Sequence, residues 1–487
     1  MPAPSDRPAL GGPELLRKLR LRIERQDPVT AFDVIVLGAG PVGIEAAVRS
    51  AADGHRTLLV EAGEIAANVR AWEHIRMFTP WSMNTTARGR ELAETLTGET
   101  LPPDECPTGD ELIERYLRPM LFAAADAMPD RLTVLTRCAI APPHRIGWPK
   151  AAGVGRDGRA TAWFGVRLGD GFLVEDDPFC FGGSGHWLRE AEKPHRSEAA
   201  SVRSRVLIDA TGTRAFGDDS QGWPGPLNPV LPTEWSDNAF SWFQQGLLEA
   251  NRGWQRALVI GGGASAATDL LTLHRGGCET TVLTRSDRMP FEPLADDPLP
   301  NRAKLYREAR GLIKSGAVAW IGGVRSFGIE FILPDGSPSA VVDEIPTATS
   351  RLRLVDVVGV RDEVPIAGYD DAFDVAINDT GRVPDLDLIR ELQVHLCYAT
   401  EGPMRLAAHL MGQDAAAGDG PVDCLAQTGS DADLLRTTEP GFFMLGAKSY
   451  GRRSNFLLRA GLEQVEATFD TLVPEHLGRC EPTRVGS

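Results

Sequence analysis

Apolar residues along this chain fall into two alternating patterns. One is a short continuous run of about four to eight residues, typical of strands buried on both faces; the other repeats with the period of a helix. Val34 to Leu37 is the first such run and passes directly into a glycine-rich turn and a helix-like stretch, after which Thr57 to Val60 runs up to Glu61. Gly109 to Ala127 predicts a helix beginning near Thr108, and short alternating runs from Leu132 to Leu207 predict strands, interrupted by a polar insert at 170 to 200. Ser204 to Gly212 predicts another strand. Gln255 to Thr284 repeats the opening order of strand, glycines, helix and strand. Asp374 to Pro384 and Phe442 to Leu445 predict further strands, with a closing helix over Asn455 to Leu472. Strands alternating with helices predict an α/β fold with parallel sheets.

Length and charge narrow this picture. At 487 residues the chain is long enough for two or three domains, and its net charge of -16 argues against nucleic acid as a partner. No apolar stretch reaches the length of a membrane span, and the N-terminus MPAPSDRPAL lacks the apolar core of a signal peptide, so the expected location is the cytoplasm. Residues 1 to 12 predict a disordered start, and Pro13 to Gln26 a basic amphipathic helix. Such a helix can lie on a membrane, but docking on its own domain is its commoner use. Trp223 to Pro232 is a Pro-rich linker, and FCFGGSGHW (residues 179 to 187) reads as a surface loop because no helix follows it. The seven cysteines are scattered without a C-x-x-C, which excludes an adjacent dithiol and zinc-ribbon spacing. No metal site is expected.

The candidate chemistry sits at the strand ends. Gly38, Gly40 and Gly43 follow the first strand in G-x-G-x-x-G spacing, with Pro41 and Val42 between them. Gly38 permits the tight turn, Gly40 the approach of a pyrophosphate, and Gly43 close packing of helix on sheet. Glu61, followed by Ala62, stands where a carboxylate can hold the hydroxyls of an adenine-linked ribose. Strand, glycines, helix, strand and acid in register predict a dinucleotide site. Asp209, Ala210, Thr211 and Gly212 end a later strand with small residues suited to a neighbouring cofactor.

In the second repeat Gly261, Gly263 and Ala266 occupy the glycine positions, with Ala264 and Ser265 between them. The place of the ribose-binding acid is taken by Thr284, and Arg285, Ser286 and Arg288 follow. Arg and Ser can bind a 2′-phosphate that an acid would repel, so this unit points to NADP rather than NAD. Surface charge alone is the competing explanation. Two such units imply two bound dinucleotides. Thr380, Gly381, Arg382 and Pro384 then close the second domain, and Phe442 to Leu445 leads through Gly446 into the loop GAKSYGRRS.

An aromatic segment, Trp72 to Asn84, follows the first half-site and contains Phe78, Trp81 and the helix-breaking Pro80. It either covers a flat cofactor or packs a core. Asn84 is the candidate catalytic amide; its other reading is the cap of a helix starting near Thr85. His74, His186, His274 and His409 are isolated, so no acid or base stands out.

The order of these motifs resembles the two-dinucleotide-binding-domain flavoprotein superfamily over roughly Asp33 to Leu472. Within it, the chain is similar to NADPH-dependent flavin monooxygenases and to flavoproteins whose tail reads G-x-K-S-Y-G-R followed by F-L-L. The resemblance implies two Rossmann-like domains, the NADPH domain inserted into a discontinuous FAD domain: an extension at 1–30, FAD-binding parts at 31–225 and 371–487, and an NADPH-binding part at 226–370. It implies FAD at Gly38, Gly40, Gly43 and Glu61, with Trp81, Thr211, Gly212, Gly381, Arg382 and Gly446 as further cofactor contacts, and NADPH at Gly261, Gly263, Ser265, Ala266 and Arg285. It carries over Asn84 as an asparagine beside the flavin, and a closing helix whose N-terminus faces the flavin ring. The monooxygenase fingerprint F-x-G-x-x-x-H is absent, and Ala447 follows Gly446 where many relatives carry an aspartate. The implied activity is oxygenation of a small organic substrate by O2 through a flavin C4a-hydroperoxide. Reduction without oxygen insertion, and a structural or sensory flavin, are the alternatives.

Overall fold

In the computed structural model, residues 30–151, 157–169, 200–215, 239–241, 254–293, 297–332, 351–359, 372–417 and 431–477 are described. The N-terminal helix, the insert loop with His186 and the Pro-rich linker expected from the sequence lie outside them. The chain divides into two compact units: 1–176 with 192–213 and 383–487, and 177–191 with 214–382.

The first unit is built on a seven-stranded sheet. Its order runs Leu132–Leu135, Thr57–Val60, Thr30–Leu37, Ala200–Asp209, Phe164–Leu168 and His144–Arg145, with Phe442–Met444 also paired to Ala200–Asp209. The last two strands of that path are antiparallel additions, and the others are parallel. The opening strand explains the unbroken apolar run: Val34 and Val36 enter one core cluster while Ile35 and Leu37 enter the cluster on the opposite face. Neither face meets water, so no polar alternation is needed. Helix Pro41–Ala52 covers the first face through Ile44, Ala47, Val48 and Ala51.

The expected helix from Thr108 is present and carries a full capping box, in which Glu111 N donates to Thr108 Oγ1 at 3.1 Å and Thr108 N to Glu111 Oε2 at 2.7 Å. It is not uniform. Gly109–Leu112 opens into a π turn, Ile113–Leu117, before Arg118–Ala127. Pro119 cannot donate to the carbonyl one turn back, which loosens the ladder there. The closing helix also begins later than its sequence suggests, at Leu458–Ala467, because Leu457 is still extended.

The second unit carries a five-stranded parallel sheet in the order Ala319–Ile321, Glu279–Leu283, Arg256–Ile260, Val375–Asn378, Ala239–Ser241. A smaller antiparallel sheet joins Val324–Ile332, Arg351–Gly359 and Ala372–Phe373.

One polar cluster is buried in the first unit's core. Glu45, on the helix after the first glycine turn, is 4% exposed; it accepts a hydrogen bond from the Tyr116 hydroxyl and lies 3.0 Å from Thr86 Oγ1. A side chain at Gly89 would strike this group, with its Cβ 2.2 Å from the Tyr116 hydroxyl. Burial pushes the Glu45 carboxyl up to about 7, against the opposing pull of its hydrogen bonds from Tyr116 and Thr86. The folded protein therefore holds this proton at pH values where the unfolded chain, with its ordinary carboxylate near 4.5, has released it. Stability from this site falls as pH rises from about 4.5 to about 7 and stays low above that. Glu45→Gln keeps the shape without the charge. We expect it to raise unfolding free energy at about pH 8 by up to the order of 3 kcal/mol, and to change little near pH 4.5. Equal effects in chemical denaturation at both pH values would refute a protonated Glu45.

Candidate functional site

In the first unit the carboxyl ends of the parallel strands line up, with Leu37 opposite both Val60 and Asp209, and Asp209 opposite Met444. Gly38 has φ +94°, and a Cβ on it would sit 2.6 Å from the Ala210 carbonyl oxygen. On Gly43 a Cβ would lie 1.9 Å from the Gly38 oxygen. These two glycines are required by protein against protein. Gly40 differs: a Cβ there meets nothing within 4 Å. It is the N-cap of Pro41–Ala52, and no side chain caps that helix. An open cradle at an uncapped helix N-terminus fits a phosphate.

Glu61 is fixed at the rim of this cradle. Ala39 N donates to its Oε2 at 2.7 Å and Gly63 N to its Oε1 at 2.8 Å. Burial pushes its carboxyl up, opposed by the backbone bonds from Gly63, Ala39 and Ala62. Each oxygen keeps a lone pair for a ribose hydroxyl.

Opposite Glu61 stands a pair that sequence reasoning missed. The Lys448 ammonium lies 2.7 Å from Asp209 Oδ2 and 2.9 Å from Thr211 Oγ1, and both charged side chains are fully buried. Asp209 Oδ1 also accepts from Thr211 N and Oγ1 at 3.1 and 2.7 Å. The available signal was a charge at each end of the pair within apolar stretches, VLIDA and MLGAKS. Gly446, at φ +74°, packs on Val42, and its N–H donates to Gln464 Oε1 at 2.9 Å. Thr211, Gly212 and Gly446 thus line the same crest as Gly38.

Asn84 does not open onto this crest as a free donor. Its Nδ2 donates to the carbonyls of Thr79 and Pro80 at 2.8 and 2.9 Å, and its Oδ1 accepts from Thr79 Oγ1 at 2.8 Å. Both amide hydrogens are consumed in holding the turn before it. Nor is it a helix cap: that role belongs to Thr86, whose Oγ1 accepts from Gly89 N at 3.0 Å at the start of Ala87–Thr97. Trp81 is 1% exposed and packs edge-on against Tyr116 in the core, with Arg115 over its ring. Core packing, the competing explanation for the aromatic segment, accounts for this residue.

The second unit repeats the glycine logic. Gly261, at φ +145°, would place a Cβ 2.4 Å from the Asp379 carbonyl oxygen, whereas Gly263 faces open space and begins the uncapped helix Ala264–Arg275. Ala266 is buried at the third small position, with Ala264 and Ser265 half-buried before it. Thr284 is buried as well; Trp320 Nε1 donates to its hydroxyl at 2.9 Å and the hydroxyl donates to Ser286 O at 2.9 Å. Arg285 and Arg288 are exposed beyond it, and neither is paired with an acid among the described residues. Gly381, at φ +111°, opens the turn into Arg382. Among the described residues no group of three or more His, Cys, Asp or Glu side chains could hold a metal.

No protein-family model matches the chain, and no curated protein matches it. Solved structures do. The bacillithiol disulfide reductase Bdr (YpdA) of Bacillus cereus is 15% identical, with a TM-score of 0.55, over 92% of this chain and 100% of that one. Its counterpart from Staphylococcus aureus gives 13% and 0.53 over 92% and 99%. A flavin-containing monooxygenase from Stenotrophomonas maltophilia is 18% identical with a TM-score of 0.49, over 92% and 99%. The chain has the fold of the two-dinucleotide-binding-domain flavoproteins.

Proposed function

We propose that this protein is an FAD-dependent oxidoreductase reduced by NADPH, acting as a monooxygenase on a small organic substrate. The observation that carries the cofactor reading is the contrast between Gly40, with open space above an uncapped helix, and Gly38 and Gly43, which are closed by protein. Bound FAD would supply the redox chemistry, taking a hydride from NADPH and passing electrons to an acceptor. The chain's own residues bind and orient. The amides at Gly40 and Val42 hold the pyrophosphate, Glu61 holds the ribose, and the Lys448–Asp209 pair and Gly446 wall the crevice. In the second unit, Gly263 takes the other pyrophosphate and Arg285 the 2′-phosphate, while Thr284 contributes structure rather than charge.

Oxygen as acceptor is supported by the resemblance of the sequence to flavin monooxygenases, and the absence of any C-x-x-C weighs against disulfide reduction without weighing against other acceptors. Asn84 does not carry this reading, because its donors are spent. A second reading, reduction of a low-molecular-weight disulfide without oxygen, is favoured by the higher TM-scores of the two bacillithiol disulfide reductases. NADPH oxidation with and without oxygen, followed by product mass, tests both. Consumption of O2 with gain of one oxygen atom in the product supports the monooxygenase; anaerobic turnover with a disulfide supports the reductase.

Two substitutions test the half-sites. Gly40→Ala has room in the fold and an ordinary backbone conformation, so the protein should fold normally but bind FAD about ten-fold to a hundred-fold more weakly, the worth of one lost charge-assisted hydrogen bond. Unchanged flavin content after dialysis would place the pyrophosphate elsewhere. Arg285→Ala should raise the Michaelis constant for NADPH by about the same factor and leave NADH almost unaffected. An equal loss with both coenzymes would remove Arg285 from 2′-phosphate recognition.

A further inference from the structure

Thr284 stands where a carboxylate would take both hydroxyls of a coenzyme ribose, and the two ends of its side chain are put to different use. The methyl is turned to the second glycine turn: a Cβ on Gly262 would lie 3.6 Å from Thr284 Cγ2. The hydroxyl is held by protein. Trp320 Nε1 donates to it at 2.9 Å, and it donates its own hydrogen to the Ser286 carbonyl at 2.9 Å. With its hydrogen spent and one lone pair taken, on a residue only 6% exposed, Thr284 cannot do the work of an acid for a ribose. The place of the indole is built into the fold: its ring lies so close over Gly322 that a Cβ there would come 2.3 Å from Trp320 Cζ2.

The same hydroxyl fixes the loop that follows. Ser286 O also accepts from Gly323 N at 2.9 Å, while Thr284 N donates to Ile321 O at 2.9 Å and Val324 N to Thr284 O at 3.1 Å. Farther on, Arg288 N donates to Ser286 Oγ at 3.1 Å, and Arg310 Nη1 donates to the carbonyls of Met289 and Pro290 at 3.0 and 3.2 Å. The loop's acid, Asp287, backs onto the neighbouring turn, its Cβ 3.3 Å from where a Cβ on Gly323 would stand. Residues 284 to 290 are thus pinned at both ends, with Arg285, Ser286 and Arg288 exposed between. The carbonyl that takes the Thr284 hydrogen belongs to the backbone from which both arginines project.

We propose that Trp320 is a positioning residue for coenzyme choice in the second unit, acting through the Thr284 hydroxyl. This rests on the reading of that unit as the NADPH site. The bond from the indole works in two ways. It keeps the Thr284 methyl toward the glycine turn, so the free 2′-hydroxyl of NADH finds no carboxylate and no free hydroxyl there, and its desolvation goes uncompensated. It also keeps the Thr284 hydrogen on Ser286 O, which presets the backbone carrying Arg285 and Arg288, so less freedom is lost when they take a 2′-phosphate. Rejection of one coenzyme and attraction of the other thus depend on one hydrogen bond from a neighbouring strand.

Titration calorimetry of the full-length, FAD-loaded protein with NADP+ and with NAD+ tests this on the wild type, Trp320→Phe, Thr284→Val, Thr284→Ser and the double variant Trp320→Phe/Thr284→Val. The wild type should prefer NADP+. Trp320→Phe and Thr284→Val should each weaken NADP+ by about ten-fold, the worth of one to two hydrogen bonds, and leave NAD+ within about two-fold. Thr284→Ser keeps the hydroxyl and should keep the preference. The double variant should be no weaker than Thr284→Val alone, because the two residues act through one bond. Thr284→Val has nearly the shape of the wild type and carries the comparison should the indole prove necessary for folding. Equal weakening of both coenzymes would make Trp320 a packing residue and overturn the proposal, as would unchanged NADP+ affinity in both single variants or full additivity in the double; each leaves the NADPH reading standing. A wild type that binds neither coenzyme, or prefers NAD+, defeats that reading and the proposal with it.

Discussion

The first unit depends on a salt bridge that cannot exist by halves. Lys448 and Asp209 are both fully buried at 2.7 Å, and stripping one partner from such a pair generally costs about 3 to 5 kcal/mol. Two segments far apart in the chain must therefore arrive together. Asp209 ends the central strand beside the first glycine turn; Lys448 follows Phe442–Met444, which extends the same sheet in parallel. Once the ammonium is in place, Thr211 is fixed through its hydroxyl, and Gly446 is set between Val42 and Gln464. Ala447, between them, contributes no charge. The wall of the crevice is thus held by a polar bond formed inside apolar surroundings, where its geometry has few alternatives.

Around that wall the two units solve the same packing problem twice. A helix comes close to the sheet, yet leaves open space at its N-terminal amides. Gly38 and Gly261 are pressed against backbone from another strand end, at Ala210 and Asp379, while Gly40 and Gly263 face open space. Only the first kind of glycine is demanded by the protein's own packing. The repeat in the sequence is a repeat of this division between closed and open glycines.

Local spacing made much of this legible. The strands, both glycine turns, Glu61, and the loss of the acid at Thr284 could all be read because each rests on neighbours within about 30 residues, the span of a βαβ unit. What stayed hidden was set by distant contacts. The partner of Lys448 lies 239 positions away, and Tyr116 reaches Glu45 across 71. Asn84 misled for the same reason. Its residue type suits a cap or a reaction donor equally, and only the fold shows that the Thr79 and Pro80 carbonyls take both its hydrogens while Thr86 caps the helix.

Shielded acids mark the helices after both glycine turns, and they follow one electrostatic logic. Glu45 and Asp269 each sit early in the helix that follows a glycine turn. The partial positive charge of a helix N-terminus would favour the ionised acid, but desolvation is the largest influence on both and holds the proton in place. An ionised carboxylate there would draw on the field of the helix N-terminus. A neutral one leaves that field undiminished. In the first unit burial keeps the acid neutral against the opposing pull of the hydrogen bonds from Tyr116 and Thr86.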